Sequence, residues 1–182
     1  MFSSPLFQAP FIFLRHGETE TNRLGLTAGM TDVILNETGK QQARAAAAVL
    51  AGRGVSAIYS SPLQRALVTA HCVAETLHLP VITIPELAER NWGAQEGQPR
   101  GTRDRAETPH GGEGLEDFTQ RTFAGLAKIP AGGLPLIVAH SGTFRVLCAH
   151  FAIEVDTQLE NCCPMRFSPP RTPDARWTVA PL

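Results

Sequence analysis

The stretch Phe11–Asn22, FIFLRHGETETN, decides the reading of this chain. Four apolar residues, Phe11 to Leu14, run straight into Arg15-His16-Gly17 and then into short polar side chains. A buried strand that ends on a guanidinium, an imidazole and a glycine delivers chemistry at its carboxyl end, where open α/β sheets bind their ligands. Gly17 is expected there to let backbone and ligand come close. The rest of the chain must supply neighbours for this strand and partners for its terminal side chains.

The neighbours are legible as alternating short apolar strands and longer helical stretches. An Ala-, Leu- and Gln-rich run predicts a helix over Thr38–Arg53, with Gly52 and Gly54 at its end. Val55–Ser61 reads as a second strand, after which Ser61 as cap and Pro62 in the first turn open a helix to His78. Leu79–Ile84 is a third strand, and Leu115, Phe118, Thr122 and Leu126 recur at helical spacing. Leu134–Ala139 is almost continuously apolar, which suits a strand buried on both faces and followed by another helix. Cys162–Ser168 and Arg176–Ala180, joined by a Pro-rich connection, read as a closing hairpin or edge. The alternation predicts an α/β layered sheet. A hydrophobic edge strand leaves two outcomes, pairing with a second copy as a homodimer or cover by the tail.

Length and composition narrow the function classes. A chain of 182 residues suits one domain, taken as 1–182, with a real core. Sixteen Lys and Arg against 17 Asp and Glu give a net charge of −1, which calls for neither nucleic acid nor an anionic membrane and leaves small anionic substrates open. Cys72, Cys148, Cys162 and Cys163 have neither zinc-site spacing nor the density of a disulfide scaffold, so they read as thiols in a reducing, cytoplasmic setting. The adjacent pair reads as packing. No apolar run reaches membrane-spanning length. The apolar N-terminus lacks a basic region and flows directly into Phe11, so it is not read as a cleaved leader.

A second strand ends like the first, on His140-Ser141-Gly142 before a helix. If the two strands are parallel neighbours, both imidazoles project from one sheet edge, beside a helix N-terminus whose unpaired N–H groups and dipole favour an anion. Arg15 and Arg65 add two guanidiniums, whose forked donors match phosphate oxygens. The set looks built for a phosphoryl group.

Four ordered motifs carry a family resemblance: RHGET followed by Asn22, SSPLQRA, ELAERNWG and VAHSGTFR. Together they resemble the histidine phosphatase superfamily, with its phosphoglycerate mutase-like fold, over about Phe11 to Phe167. The resemblance implies a three-layer αβα sandwich with a mostly parallel central sheet. It makes His16 the nucleophile that forms a phosphohistidine, with Arg15, Arg65 and His140 around the phosphate and Asn22 as a further donor. Glu89 matches the position of the general acid and base, with Glu86 as the alternative carboxylate and Trp92 as an apolar neighbour. Ser141, Gly142 and Arg100 are assigned to substrate binding. No metal and no cofactor are implied. His71, His78, His110 and His150 lack motif support and read as helix-surface or loop residues.

The chain departs from the family pattern in two places. Thr21 stands where Trp is often found, and Leu26-Thr27-Ala28-Gly29 replaces an Arg-x-Gln-Gly run, which leaves the phosphate pocket intact and alters its substrate wall. Only Gln98–Thr108 occupies the place of a long helical lid. A shortened lid excludes water less completely and favours hydrolysis over return of the phosphoryl group. Arg100, Arg103 and Arg105 within it are either a solvated loop, with Asp104 and Glu107 as counter-charges, or the holder of a substrate carboxylate or second phosphate. The expected activity is a metal-independent phosphomonoester hydrolase acting on a small phosphorylated metabolite. The alternatives are a bisphosphate-primed phosphoglycerate mutase, a phosphoprotein phosphatase, and a non-catalytic phosphate-binding module.

Overall fold

A computed structural model describes residues 2–154, 159–172 and 174–182; Pro173 of the Pro-rich connection lies outside the described residues. The strands are β1 (Phe11–Arg15), β2 (Ala57–Ser60), β3 (Val81–Thr83), β4 (Pro135–Ala139), β5 (Pro164–Ser168) and β6 (Thr178–Pro181). The helices are α1 (Glu20–Arg23), α2 (Glu37–Leu50), α3 (Gln64–Leu77), α4 (Leu115–Leu126) and α5 (Ser141–His150). One six-stranded sheet has the order β3-β2-β4-β1-β5-β6. β1, β2, β3 and β4 pair in parallel, while β5 runs antiparallel to β1 and β6 antiparallel to β5. The expected terminal hairpin is therefore present, and the tail strand covers β5.

Side-chain alternation along the central strands builds the two cores. Phe11 and Phe13 of β1 and Ile137 and Ala139 of β4 face one side, packed with Phe118, Phe123 and Leu126 of α4 and Phe144 and Leu147 of α5. Ile12 and Leu14 of β1 with Leu136 and Val138 of β4 face the other, under the alanine-rich faces of α2 and α3. Every residue of β1 and β4 is buried, as expected of strands covered on both faces. Each fully buried Phe, Leu or Ile contributes about 1.5–3 kcal/mol. Among the described residues no helix is long and apolar enough to cross a membrane.

Several boundaries differ from the sequence expectation for local reasons. α2 starts at Glu37, where the Asn36 side chain accepts the Gly39 N–H at 2.8 Å, and stops at Leu50 rather than Arg53. Gly52, at φ 71°, turns the chain out of the helix into a conformation favoured by glycine. α3 begins at Gln64 instead of Pro62 with Leu63 in the cap position, so Ser61 lies two residues ahead of it, its hydroxyl meeting His140 Nε2 and accepting the Leu63 N–H at 3.3 Å. β3 is shortened at its start because the Leu79 N–H still bonds the Ala74 carbonyl at the end of α3. The single turn of α1 went unread; Thr19 and Asn22 close it with a reciprocal capping box.

Candidate active site

Arg15, His16, Arg65 and His140 meet at the carboxyl edge of the sheet, and none exceeds 4% exposure. The register of β1 with β4 continues one step past the strands, where the His16 N–H bonds the Ala139 carbonyl at 3.0 Å. That step brings the imidazoles of His16 and His140 to 5.3 Å between centroids.

The hydrogen bond of His16 settles its tautomer. Its Nδ1 lies 2.7 Å from the Gly17 carbonyl oxygen, which can only accept, so Nδ1 carries the proton. Burial, then the charges of Arg65 and Arg15, push the His16 pKa well below the usual histidine value. The ring is neutral, and Nε2 is left with its lone pair. His140 is likewise held neutral by burial and by Arg65, and its Nε2 lies 2.7 Å from the Ser61 hydroxyl.

The two guanidiniums are fixed by main-chain carbonyls rather than carboxylates. Arg15 donates to the Leu159 carbonyl, and Arg65 to the carbonyls of Gly29 and Thr31 at 2.7 and 2.9 Å. Burial lowers both pKa values, that of Arg15 to about 10. The Nε of each arginine and Nδ1 of His140 are buried without protein partners. Unpaired buried positive charge is costly and favours an anion beside it.

Gly17 makes room for a neighbouring main chain. A Cβ there would meet the Gly39 carbonyl oxygen at 2.4 Å, so the glycine admits the backbone of α2. The Gly17 N–H is held by the Thr69 hydroxyl of α3 at 3.0 Å. The Asn22 Oδ1 accepts from the Thr19 N–H and from Asn161 Nδ2, and Asn161 Nδ2 also bonds the His16 carbonyl at 2.7 Å. Asn161, just before the paired cysteines, was not anticipated.

The two candidate carboxylates are separated. Glu86 is ion-paired with Lys128 at 2.5 Å, outside the site. Glu89 lies across the start of α5, where its Oε2 accepts the Gly142 N–H at 3.1 Å and its Oε1 the Arg90 N–H at 2.9 Å. Gly142 thus serves Glu89, and Ser141 stands beside it on the wall of the adjoining cleft. Arg121 of α4, absent from the sequence reading, grips the Glu86, Ala88 and Glu89 carbonyls and forms a two-pronged pair with Glu113.

The segment in the lid position contains one 3-10 turn, Arg100–Thr102, and is pinned at both ends. Arg100 turns back onto the Asn22 and Leu26 carbonyls at 2.9 and 3.2 Å. Arg90, 3% exposed and also unanticipated, donates to the carbonyls of Arg105, Glu107 and Glu113. The counter-charge arrangement is not found: Asp104 and Glu107 form no ion pair among the described residues, and Arg103 and Arg90 each lie 4.4 Å over the Trp92 ring. Of the four unassigned histidines, His71 and His78 are exposed on or at the end of α3 and His110 is exposed in a loop. His150 departs from that reading, packing 4.7 Å from Phe123 in the wall of a cleft of about 320 Å³ that opens beside Glu89.

Fold and site define the class: a mostly parallel α/β sheet whose carboxyl edge brings two neutral imidazoles and two buried guanidiniums together. A family model described as the histidine phosphatase superfamily (branch 1) matches residues 11–166, and the chain belongs to that superfamily. It is 36% identical over 140 residues to the uncharacterized phosphatase PhoE of Bacillus subtilis, covering 74% of this chain and 72% of the relative. It is 34% identical over 157 residues to a metal-independent phosphoserine phosphatase of Arabidopsis thaliana, covering 75% and 66%. Other relatives are longer, and the chain spans 42% of their length. Among solved structures, the mycobacterial glucosyl-3-phosphoglycerate phosphatase Rv2419c with VO3 superimposes with a TM-score of 0.77 at 26% identity, covering 94% of this chain and 97% of that one.

Proposed function

We propose that this protein is a metal-independent phosphomonoester hydrolase of the histidine acid phosphatase type, acting on a small phosphorylated metabolite through a phosphohistidine at His16. The observation that carries the reading is the Nδ1–H bond of a neutral His16 to the Gly17 carbonyl, which leaves Nε2 as a nucleophile. Nε2 attacks phosphorus and forms the N–P bond as the ester P–O bond breaks. The Glu89 carboxyl gives its proton to the departing alcohol. Water then attacks the phosphohistidine, Glu89 takes a proton from it, and inorganic phosphate leaves with Nε2 restored.

Arg15, Arg65 and His140 meet the charge on the phosphoryl oxygens, the task a bound metal performs elsewhere, and they are already desolvated and fixed. Asn22 has its Oδ1 occupied and its Nδ2 available as a donor. Relatives named as phosphatases, one of them metal-independent, support the reaction. The short lid supports hydrolysis over a mutase cycle. The cysteines, free among the described residues, support the cytoplasmic setting.

Phosphate release from a panel of phosphomonoesters, by wild type and His16→Ala with and without a chelator, tests the proposal. Chelator-insensitive release by wild type alone, with an acid-labile phosphoenzyme trapped on quenching, is expected. Undiminished release by His16→Ala overturns the His16 mechanism, and release lost to the chelator overturns metal independence.

A further inference from the structure

The cleft beside Glu89 has a composition that the phosphate pocket does not require. Its wall includes Glu89, Ser141 and Gly142, so it starts at the carboxyl group that faces the departing oxygen and takes whatever that oxygen carries. Its floor is apolar, formed by Leu115, Phe118 and Phe123, with the Phe2 ring stacked on Phe123 at 4.3 Å and 4°. Around this floor stand three guanidiniums, Arg103 and Arg105 from the lid segment and Arg145 from α5.

None of the three is in an ion pair among the described residues. Arg103 is partly buried and Arg105 and Arg145 are exposed, and desolvation, followed by repulsion between neighbouring arginines, lowers the pKa values of Arg103 and Arg105, that of Arg103 to about 10. Glu89 is the carboxylate that offsets them, and it already has Gly142 and Arg90 as partners. What sets the three apart from scattered surface arginines is their convergence, from two elements far apart in sequence, on one cleft with an aromatic floor. A three-carbon acid would fill little of about 320 Å³, and a plain alkyl group would leave the cations unmatched.

Resting on the phosphatase reading, we propose that this cleft selects phosphomonoesters whose alcohol is aromatic or broadly apolar and bears a second anionic group, received by Arg103, Arg105 and Arg145. The chemistry is that of a carboxylate or a second phosphate held at the far end of an aryl body. Forked guanidinium donors suit either group.

Binding of non-hydrolysable phosphonates tests this independently of turnover. Calorimetry would compare benzylphosphonate with 4-carboxybenzylphosphonate, and a naphthylmethylphosphonate with its carboxylated counterpart, so that two reaches are sampled. The carboxylated member should bind about tenfold more tightly, or better, in at least one pair. Arg145→Gln, and separately Arg103→Gln with Arg105→Gln, should bring that ratio towards one. Equal affinities within both pairs in the wild type, or a ratio preserved in every variant, overturn the proposal. Failure to hydrolyse the corresponding esters while the binding ratio holds would sink the hydrolase reading and leave the subsite standing.

Discussion

Glu89 and Gly142 are matched across the start of α5: the glycine N–H donates to one carboxylate oxygen at 3.1 Å, and a Cβ on the glycine would come within 2.1 Å of the other. The carboxyl group is thereby registered against the helix that follows His140. Glu89→Gln should lower kcat for alkyl phosphates by about 10²–10⁴-fold. For 4-nitrophenyl phosphate, whose leaving group needs no proton, the loss should be much smaller. Gly142→Ala keeps the carboxyl but displaces it, so it should show the same dependence on leaving group. Steady-state rates across esters of graded leaving-group pKa check both, and a uniform loss would remove Glu89 from the acid role.

Arg65 tests whether shape or charge matters in the proposed phosphate site. Its fork holds the Gly29 and Thr31 carbonyls, and its Nε is buried without a protein partner. Arg65→Lys keeps the charge and loses the fork, so kcat/KM should fall by roughly 10²-fold or more. Vanadate inhibition should weaken in parallel, and a variant within a fewfold of wild type would refute a positioned guanidinium.

Arg121 acts at one remove, through the Glu86, Ala88 and Glu89 carbonyls. Arg121→Ala removes the donor to three part-buried carbonyls and leaves Glu113 only the Asn91 N–H, at about 1–3 kcal/mol. It should also lower kcat more than it raises KM. The signature of positioning is that the leaving-group dependence of Glu89→Gln reappears; loss of stability with an unchanged dependence would assign Arg121 to structure alone.

His16 and His140 make stability depend on pH. Both have folded pKa values well below the unfolded histidine value, so the unfolded chain binds more protons as pH falls past about 6.5. Stability should therefore be unaffected by this pair above that pH and decline below it, by up to about 1.4 kcal/mol per pH unit for each ring, until the folded pKa is reached. Urea midpoints between pH 7 and 5 should fall less steeply for His140→Gln than for wild type. Parallel curves would show that the rings are not held neutral.

The sequence displayed those features whose cause lies within a few residues. β1 and β4 were readable because unbroken apolar runs end on polar side chains, and His16 and His140 because those ends repeat. Arg90, Arg121 and Asn161 were not readable, since their partners are carbonyls or amides 15 to 145 residues away, and no periodicity records such pairings. The choice of Glu89 over Glu86 depended in the same way on Lys128, 42 residues on.

The arginine cluster shows a subtler limit. Proximity in sequence joined Arg100 to Arg103 and Arg105, yet folding turns Arg100 onto the Asn22–Leu26 loop and brings Arg145 in its place. A signal for Arg145 was present: it lies four residues after Ser141 on the same helix, which puts the two on one face.

Arg90 grips the lid segment by the carbonyls of Arg105 and Glu107, which every amino acid possesses. The Arg90 anchor itself therefore does not depend on the side chains at 105 and 107. On the proposed reading of the cleft, ligand preference is an exchangeable cartridge in a constant holder: point substitutions there would change what the cleft accepts while the Arg90 anchor stays as it is.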